Sequence, residues 1–413
     1  MSGMKVVQLG YGMQGRASLA DLMSAPGISE IVVADNIAGI PETIRALGDP
    51  RVKGVRVDAT KREELAAVMR GADVVVELLP GLFALSVARL AAELGVNLVS
   101  TMYLANPGEQ NPERRAAQLL ELKDIDSVMK AKGRTILEEF GMDPGIDLVL
   151  GRKTLGELDE VHAFHSYGAG FPAPDSANNP IRYKFTWSII GVMRSYLRPA
   201  KVIRGGKDVA VPADEMFAPQ NTHILDLPEL GGPLECFPNG DSGHYAELFK
   251  IRGTVKSMGR YICRWPGHAA FWSVMAKCGF LSDEPIPVGD VKVAPTAFCA
   301  ALLGRQEQFS YGPGERDLAL IRTDARGLKN GRPVRVVYQI VDRRDLSTGF
   351  TAMQRTVGFP ASIGAQMILD GRLAKKGIVS PGEVDFDAFM GELGKRGIRM
   401  TREETAWDGR LDP

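Results

Sequence analysis

Gly10, Gly12 and Gly15 stand at the spacing GxGxxG, filled out by Tyr11, Met13 and Gln14, and an acid, Asp35, follows 20 residues past the last glycine. Residues of these types in this pattern can hold a pyrophosphate. The first glycine makes a tight turn, the second lets backbone approach the phosphates, and the third brings a helix against a strand. The phosphates then face the N-terminus of that helix, where unpaired N–H groups and the macrodipole favour anions. A carboxylate at Asp35 accepts the ribose 2′-hydroxyl and repels a 2′-phosphate, and residues 36–40 carry no Arg or Lys to neutralise one. The pattern predicts a dinucleotide site that takes NAD in preference to NADP. In the alternative, Asp35 does no more than cap the next turn.

Such a turn needs a strand before it and a helix after it. Lys5-Val6-Val7-Gln8-Leu9 reads as a buried strand, a helix is expected through Met23, and Ile31-Val32-Val33-Ala34-Asp35 reads as the next strand. The alternation continues with strands expected at 54–58, 73–79, 97–100 and 135–138, and helices at 62–69, 83–94 and 112–132. Six strands in that order make a Rossmann-type doubly wound parallel sheet, an α/β fold whose ligands lie beyond the carboxyl ends of the strands. Asp35, Asp58, Leu79 and Thr101 fall at those ends and are expected to line the cofactor.

From about Gly141 the texture changes to short β-like runs between Gly- and Pro-rich connections, which predicts a second, α+β domain with a mostly antiparallel sheet. Lys329-Asn330-Gly331-Arg332-Pro333 is a hairpin turn between two apolar runs. The expected organisation is a dinucleotide domain over 1–142, a substrate-binding and dimerisation domain over 143–352, and a segment over 353–413 whose helix at 361–373 returns to the first domain before a tail.

Lys+Arg and Asp+Glu both total 50 in 413 residues, without long runs of one sign, which argues against a nucleic-acid partner. No apolar run approaches the roughly 18 residues a membrane span needs. Cys236, Cys263, Cys278 and Cys299 form no ligand cluster, and His162 and His165 lie three apart on a strand and so on opposite faces; no metal site is expected. Reduced thiols suit a cytoplasmic protein.

GYGMQG at 10–15, ELLPGLF at 77–83, EFGMDPGID at 139–147, YGAGFPAP at 167–174, CFPNGDS at 236–242, RWPG at 264–267 and TVGFPASIGAQMILDG at 356–371 run in order along nearly the whole chain. In these segments the sequence resembles the saccharopine dehydrogenases of the glutamate-forming type and their lysine 6-dehydrogenase relatives. The resemblance implies NAD-linked oxidation of a CH–NH group in a lysine-derived amino acid, and a homodimer. Position by position, it implies substrate contacts at Met102 and Tyr103, with Met where the family has Ser. It also implies Asp143 of the DPG turn at the substrate ammonium and Arg264 at a carboxylate; Phe171, in a stretch dense in Gly, Pro and aromatics that is costly to order unless it lines something, is expected beside the cofactor. Tyr103 and Asp143 are the implied proton-handling groups.

Gly240 departs from the saccharopine enzymes, which carry a carboxylate-binding Arg in the corresponding PNRDS stretch; lysine 6-dehydrogenases lack it, and resemble this chain at Gly232-Pro233-Leu234-Glu235 and at His268. DPGID, NNP at 178–180 and TVGFP are saccharopine-like. Saccharopine, giving L-glutamate and 2-aminoadipate 6-semialdehyde, is the substrate favoured by motif count, and lysine is the alternative. A dinucleotide sensor without catalysis and a polyamine- or opine-type reductase using NADP are the other readings.

Overall fold

A computed structural model describes residues 3–105, 109 and 111–413. The chain divides into two compact units, one of Met1–Val149 with Gln354–Gly397, the other of Leu150–Met353 with Ile398–Pro413.

The first unit is built on a wholly parallel seven-stranded sheet. β1 (Met4–Leu9), β2 (Ile28–Asp35), β3 (Val52–Arg56), β4 (Val74–Glu77), β5 (Asn97–Ser100) and β6 (Thr135–Leu137) lie in the order β3-β2-β1-β4-β5-β6, and the short strand Gly377–Val379 adds to β6. This is the doubly wound order expected from the sequence, with the reversal between β1 and β4, where ligands bind in such sheets. Val6, Val7, Val74, Val75 and Leu98 are wholly buried, as strands covered on both faces must be. Helices Arg62–Met69, Ala84–Leu94 and Pro112–Ala131 close one core through Leu65, Met69, Val87, Ala91 and Met129.

The glycine turn opens α1 (Met13–Ser24), and the C-terminal part of the chain packs on that helix. A side chain at Gly358 would stand 2.6 Å from the Gln14 carbonyl, so the two backbones meet directly. Ser362 Oγ adds a 2.6 Å bond to Asp21. The helix involved spans Ala352–Leu369 rather than the expected 361–373. Pro360 lies inside it, and proline ordinarily marks a helix start or break, which hid the earlier turns from the pattern.

The second unit holds a nine-stranded mixed sheet. Its central strand, Glu160–Pro172, pairs parallel with Ser257–Arg264 and antiparallel with Asp317–Lys329, and the remaining pairings described are antiparallel. Asn330 and Gly331 have φ of 52° and 73°, the left-handed pair that a two-residue hairpin loop requires. Asp317 accepts the N–H groups of Ala352 and Met353 at 2.8 and 3.0 Å and so caps the helix that begins there. Met400–Ala406 returns as an edge strand along Arg332–Arg343. That strand is charged and exposed, without the apolar alternation by which strands are read.

Candidate functional site

The glycine turn has the shape its sequence demands. Gly10 has φ of 100°, and a Cβ there would lie 2.8 Å from the Leu78 carbonyl; one at Gly15 would lie 2.3 Å from the carbonyl of Gly10. Nothing lies within 4 Å of a Cβ placed at Gly12, so the middle glycine presents open backbone. Gln8, wholly buried in β1, donates from Nε2 to the carbonyls of Gly10 and Gly15, both at 2.9 Å, and pins the two ends of the turn together. Met13 at the start of α1 is exposed, and Gln14 half-buried. An open backbone cradle at a helix N-terminus fits a pyrophosphate.

Asp35 joins the end of β2 to this turn. Its carboxylate accepts the N–H of Tyr11 at 2.6 Å and that of Ile37 at 3.0 Å, so it both caps the next turn and borders the cradle. The local sequence offered no cation here, but the sheet brings one: Arg56 of β3 is the register partner of Asp35, and its Nε donates to the Asn36 carbonyl at 3.3 Å. Strand pairing, not sequence distance, puts that charge beside the acid.

The other strand ends divide by role. Asp58, two residues beyond β3, accepts the N–H and hydroxyl of Thr60 at 3.0 and 2.7 Å, bonds that lower its pKa and hold the turn before the helix Arg62–Met69. Leu79 and Thr101 are organised by a residue that the motif reading passed over, Glu77. One carboxylate oxygen accepts the Leu79 N–H at 2.9 Å, the other the Ser100 hydroxyl at 2.6 Å, and its carbonyl accepts the Thr101 N–H at 3.3 Å. Burial pushes the Glu77 pKa up to about 7 against those two side-chain bonds. Its signal in the sequence is one acid inside an otherwise apolar run, Val74 to Leu79.

Ser100 Oγ in turn accepts the Met102 N–H at 3.1 Å, and the Met102 methyl covers Gly81, where a Cβ would be 2.7 Å away. Met102 thus packs between the turns after β4 and β5. Half-buried Tyr103 follows directly on this braced segment. Half-buried Asp143 begins the cis Asp143–Pro144 peptide, and Asp147 accepts the Gly145 N–H at 2.8 Å to hold the turn.

In the second unit, Arg264 ends the strand Ser257–Arg264 in a buried aromatic pocket. Its guanidinium lies 4.9 Å from the Tyr183 ring centroid and donates to the Cys263 carbonyl at 2.8 Å, while Nε has no partner. No carboxylate among the described residues pairs with it. The Tyr196 hydroxyl and His268 Nε2 are 2.8 Å apart in the same pocket; burial, with Arg264 alongside, holds the imidazole well below its ordinary range and neutral. Asn179 of the NNP segment fixes this wall by donating to the carbonyls of Tyr183 and Gln308 at 2.7 and 2.9 Å.

Gly240 does not leave its corner without a cation. A Cβ there would lie 3.7 Å from Nη1 of Arg260, which is buried against Tyr245 with 4.2 Å from guanidinium to ring. Phe171 is 1% exposed in the sheet core and meets Trp265 edge-on at 5.3 Å, so its ring is engaged in packing. Alternation along Glu160–Pro172 puts it on the same face as Tyr167 and Ala169, which that core also buries.

Two domain families match the chain: the saccharopine dehydrogenase NADP binding domain over residues 6–137 and the saccharopine dehydrogenase C-terminal domain over 141–398. The chain belongs to the saccharopine dehydrogenase family. Among relatives of this family member, the bovine mitochondrial alpha-aminoadipic semialdehyde synthase is 27% identical over 97% of the chain, which spans 48% of that protein's length. The chain thus spans about half the length of such relatives. Saccharopine dehydrogenase [NADP(+), L-glutamate-forming] of Saccharomyces cerevisiae is 24% identical, covering 98% of this chain and 100% of its own. The structure of the apo yeast saccharopine dehydrogenase (L-Glu forming) superposes with a TM-score of 0.79 over 98% of this chain and 100% of that one, at 24% identity, and so shares the fold. Among the described residues no helix is long and apolar enough to cross a membrane, and no group of His, Cys, Asp and Glu could hold a metal ion.

Proposed function

We propose that this chain is an NAD-dependent oxidoreductase acting on the CH–NH group of saccharopine, yielding L-glutamate and 2-aminoadipate 6-semialdehyde. The reading is carried by Arg260 and Arg264, both buried and four residues apart on one strand, hence on one face of the sheet. Arg264 pairs with no carboxylate among the described residues, and a buried guanidinium makes its strongest bonds when an anion meets it. Saccharopine brings three carboxylates and lysine one, so a strand bearing two buried cations suits the larger substrate. The neutral His268 beside Arg264 favours the second reading, lysine 6-dehydrogenation.

Gly10, Gly12 and Gly15 would hold the pyrophosphate and Asp35 the ribose hydroxyls, which favours NAD even though the matched relatives are named for NADP. When bound, the nicotinamide accepts a hydride from the substrate carbon that carries the side-chain nitrogen. The protein's task is to place that carbon and move protons. Arg264 binds a carboxylate through its fork of donors and Asp143 receives the α-ammonium. Tyr103 and Asp143 are the candidates to take the proton from the secondary ammonium, which must become a neutral amine to release hydride. Water then adds to the C=N bond, releasing the aldehyde and the amino group of glutamate.

The molecule acts as a homodimer in this proposal. Phe271, Val274, Phe280, Val291, Phe298 and Leu302 are all exposed between residues 271 and 302 of the second unit. With Ile286 and Val288 of the small hairpin Ile286–Val293 they are exposed apolar side chains of the kind a partner covers.

The test is NADH formation monitored with saccharopine and with lysine as sole substrates. Turnover of saccharopine is expected. Turnover of lysine alone moves the assignment to the second reading, and turnover of neither leaves a dinucleotide sensor.

A further inference from the structure

Tyr103 lies in a segment gripped from two sides. On one side Ser100 Oγ accepts the Met102 N–H at 3.1 Å. On the other stands the chain that leaves β6: Glu139 donates its N–H to the Met102 carbonyl at 3.3 Å, and Phe140 donates to that of Ser100 at 2.8 Å. The Glu138 carboxylate completes this side by accepting the N–H of Leu104, the residue after Tyr103. Both neighbours of Tyr103 are therefore fixed through the backbone, and the buried Leu104 side chain sits in the core of the first unit.

Glu138 is itself anchored. Its N–H donates to the Val379 carbonyl at 3.2 Å, on the short strand paired with β6. The next residue, Glu139, has φ of 55°, a conformation that a residue with a side chain keeps where its surroundings impose it. No cation among the described residues pairs with the Glu138 carboxylate, and burial pushes its pKa up. Packing alone favours an apolar residue at such a place. A carboxylate kept there for one backbone N–H makes sense where the placing of that N–H matters. We propose that Glu138 is a positioning residue for the reaction: by holding Leu104 it sets where the Tyr103 hydroxyl meets the substrate. The proposal rests on the reading above in which Tyr103 meets the substrate, and it adds a residue that acts on Tyr103 through the backbone. Its task is reach rather than charge, because the N–H needs an acceptor oxygen at one place. Gln carries such an oxygen on a side chain of the same length, whereas Asp is one methylene short.

The test is steady-state kinetics, with saccharopine or lysine as NADH formation selects, on Glu138→Ala, Glu138→Asp and Glu138→Gln, each alone and combined with Tyr103→Phe. Glu138→Ala and Glu138→Asp should lower kcat about tenfold while KM and NADH affinity stay within about twofold, because a misplaced reacting group costs rate rather than binding. Glu138→Gln should stay within about threefold of the wild type. Combined with Tyr103→Phe, each Glu138 substitution should cost less than about twofold more, since residues that act through one group do not add. The Gln and Asp variants decide the question if the Ala variant does not fold. Equal losses with and without the Tyr103 hydroxyl, an impaired Gln variant beside an unimpaired Asp variant, or full activity of every Glu138 variant overturns the role of Glu138 alone. Tyr103→Phe with wild-type kinetics overturns the reading of Tyr103, and absence of turnover overturns the oxidoreductase reading; the positioning role falls with either.

Discussion

Glu77 and Ser100 are joined by a 2.6 Å hydrogen bond between the ends of neighbouring parallel strands, and through it the turn after β4 is tied to the turn after β5. Leu79 is held by the other carboxylate oxygen and Met102 by the serine oxygen, so one carboxylate braces the segments that carry Leu79, Thr101 and Tyr103.

Burial raises the Glu77 pKa from 4.5 to about 7, and the sign of the consequence follows. Between those values the folded chain holds a proton that the unfolded chain has lost, so stability is greatest below the lower value and falls as pH rises through the upper one. The cost of keeping this carboxylate ionised above pH 7 is on the order of 3 kcal/mol. Glu77→Gln keeps the shape and removes the charge. Its melting temperature relative to the wild type should therefore rise from pH 5 to pH 8; a difference that stays flat across that range would show that Glu77 does not titrate there.

Gln8 makes a separate claim on the glycine turn. Its amide supplies both hydrogen bonds that close the turn, so Gln8→Leu leaves the Gly10 and Gly15 carbonyls without those partners inside the sheet, at about 1–3 kcal/mol each. The variant should fold with a lower melting temperature and bind NADH about tenfold or more weakly, read by fluorescence titration. Unchanged affinity would mean that the turn keeps its shape without this side chain.

The parts of the site made by near neighbours in sequence were the legible ones. Gly10, Gly12, Gly15 and Asp35 lie in one strand–turn–helix–strand unit, where spacing and chemistry coincide. The chemistry of Arg56 depends on β3 lying beside β2, and nothing in residues 36–40 announces it. Gln8 was hidden in a strand whose apolar neighbours made it look like an accident, although a lone amide in a buried strand must find partners. The glycine- and proline-rich stretch around Phe171 reads as a loop, while the structure makes it the end of a strand whose alternation puts that ring into the core. Gly377–Val379 is three residues long, too short to carry a periodic signal, and is specified by its partner β6.

The apolar stretch of the second unit should govern assembly. Phe298 is 56% and Val274 60% exposed, on two helices whose inner faces share a core through Trp272 and Cys299. Phe298→Asp with Val274→Asp leaves that core intact and puts charge on the outer faces. Sedimentation should show a dimer for the wild type and a monomer for the double variant, with circular dichroism unchanged. A wild-type monomer would end the homodimer proposal, whereas a dimer unaffected by the substitutions would move its interface elsewhere.

Arg264 offers the sharpest separation of substrate binding from cofactor binding. Its guanidinium is buried, stacked on Tyr183 and without a carboxylate partner among the described residues, so a substrate carboxylate would be its first anionic partner. A carboxylate bound there makes charge-assisted hydrogen bonds worth about 1.5–3 kcal/mol, and Arg264→Ala should raise the substrate KM about tenfold to a hundredfold. The affinity for NADH should stay within about twofold, because the glycine turn and Asp35 belong to the other unit of the fold. Arg264→Lys should restore little, since an ammonium lacks the planar fork. Arg264→Ala also removes the packing on Tyr183 and the bond to the Cys263 carbonyl, so a modest fall in melting temperature should accompany the loss of substrate affinity. A large fall in melting temperature with unchanged KM would make Arg264 a structural residue, and the carboxylate would then have to be bound elsewhere.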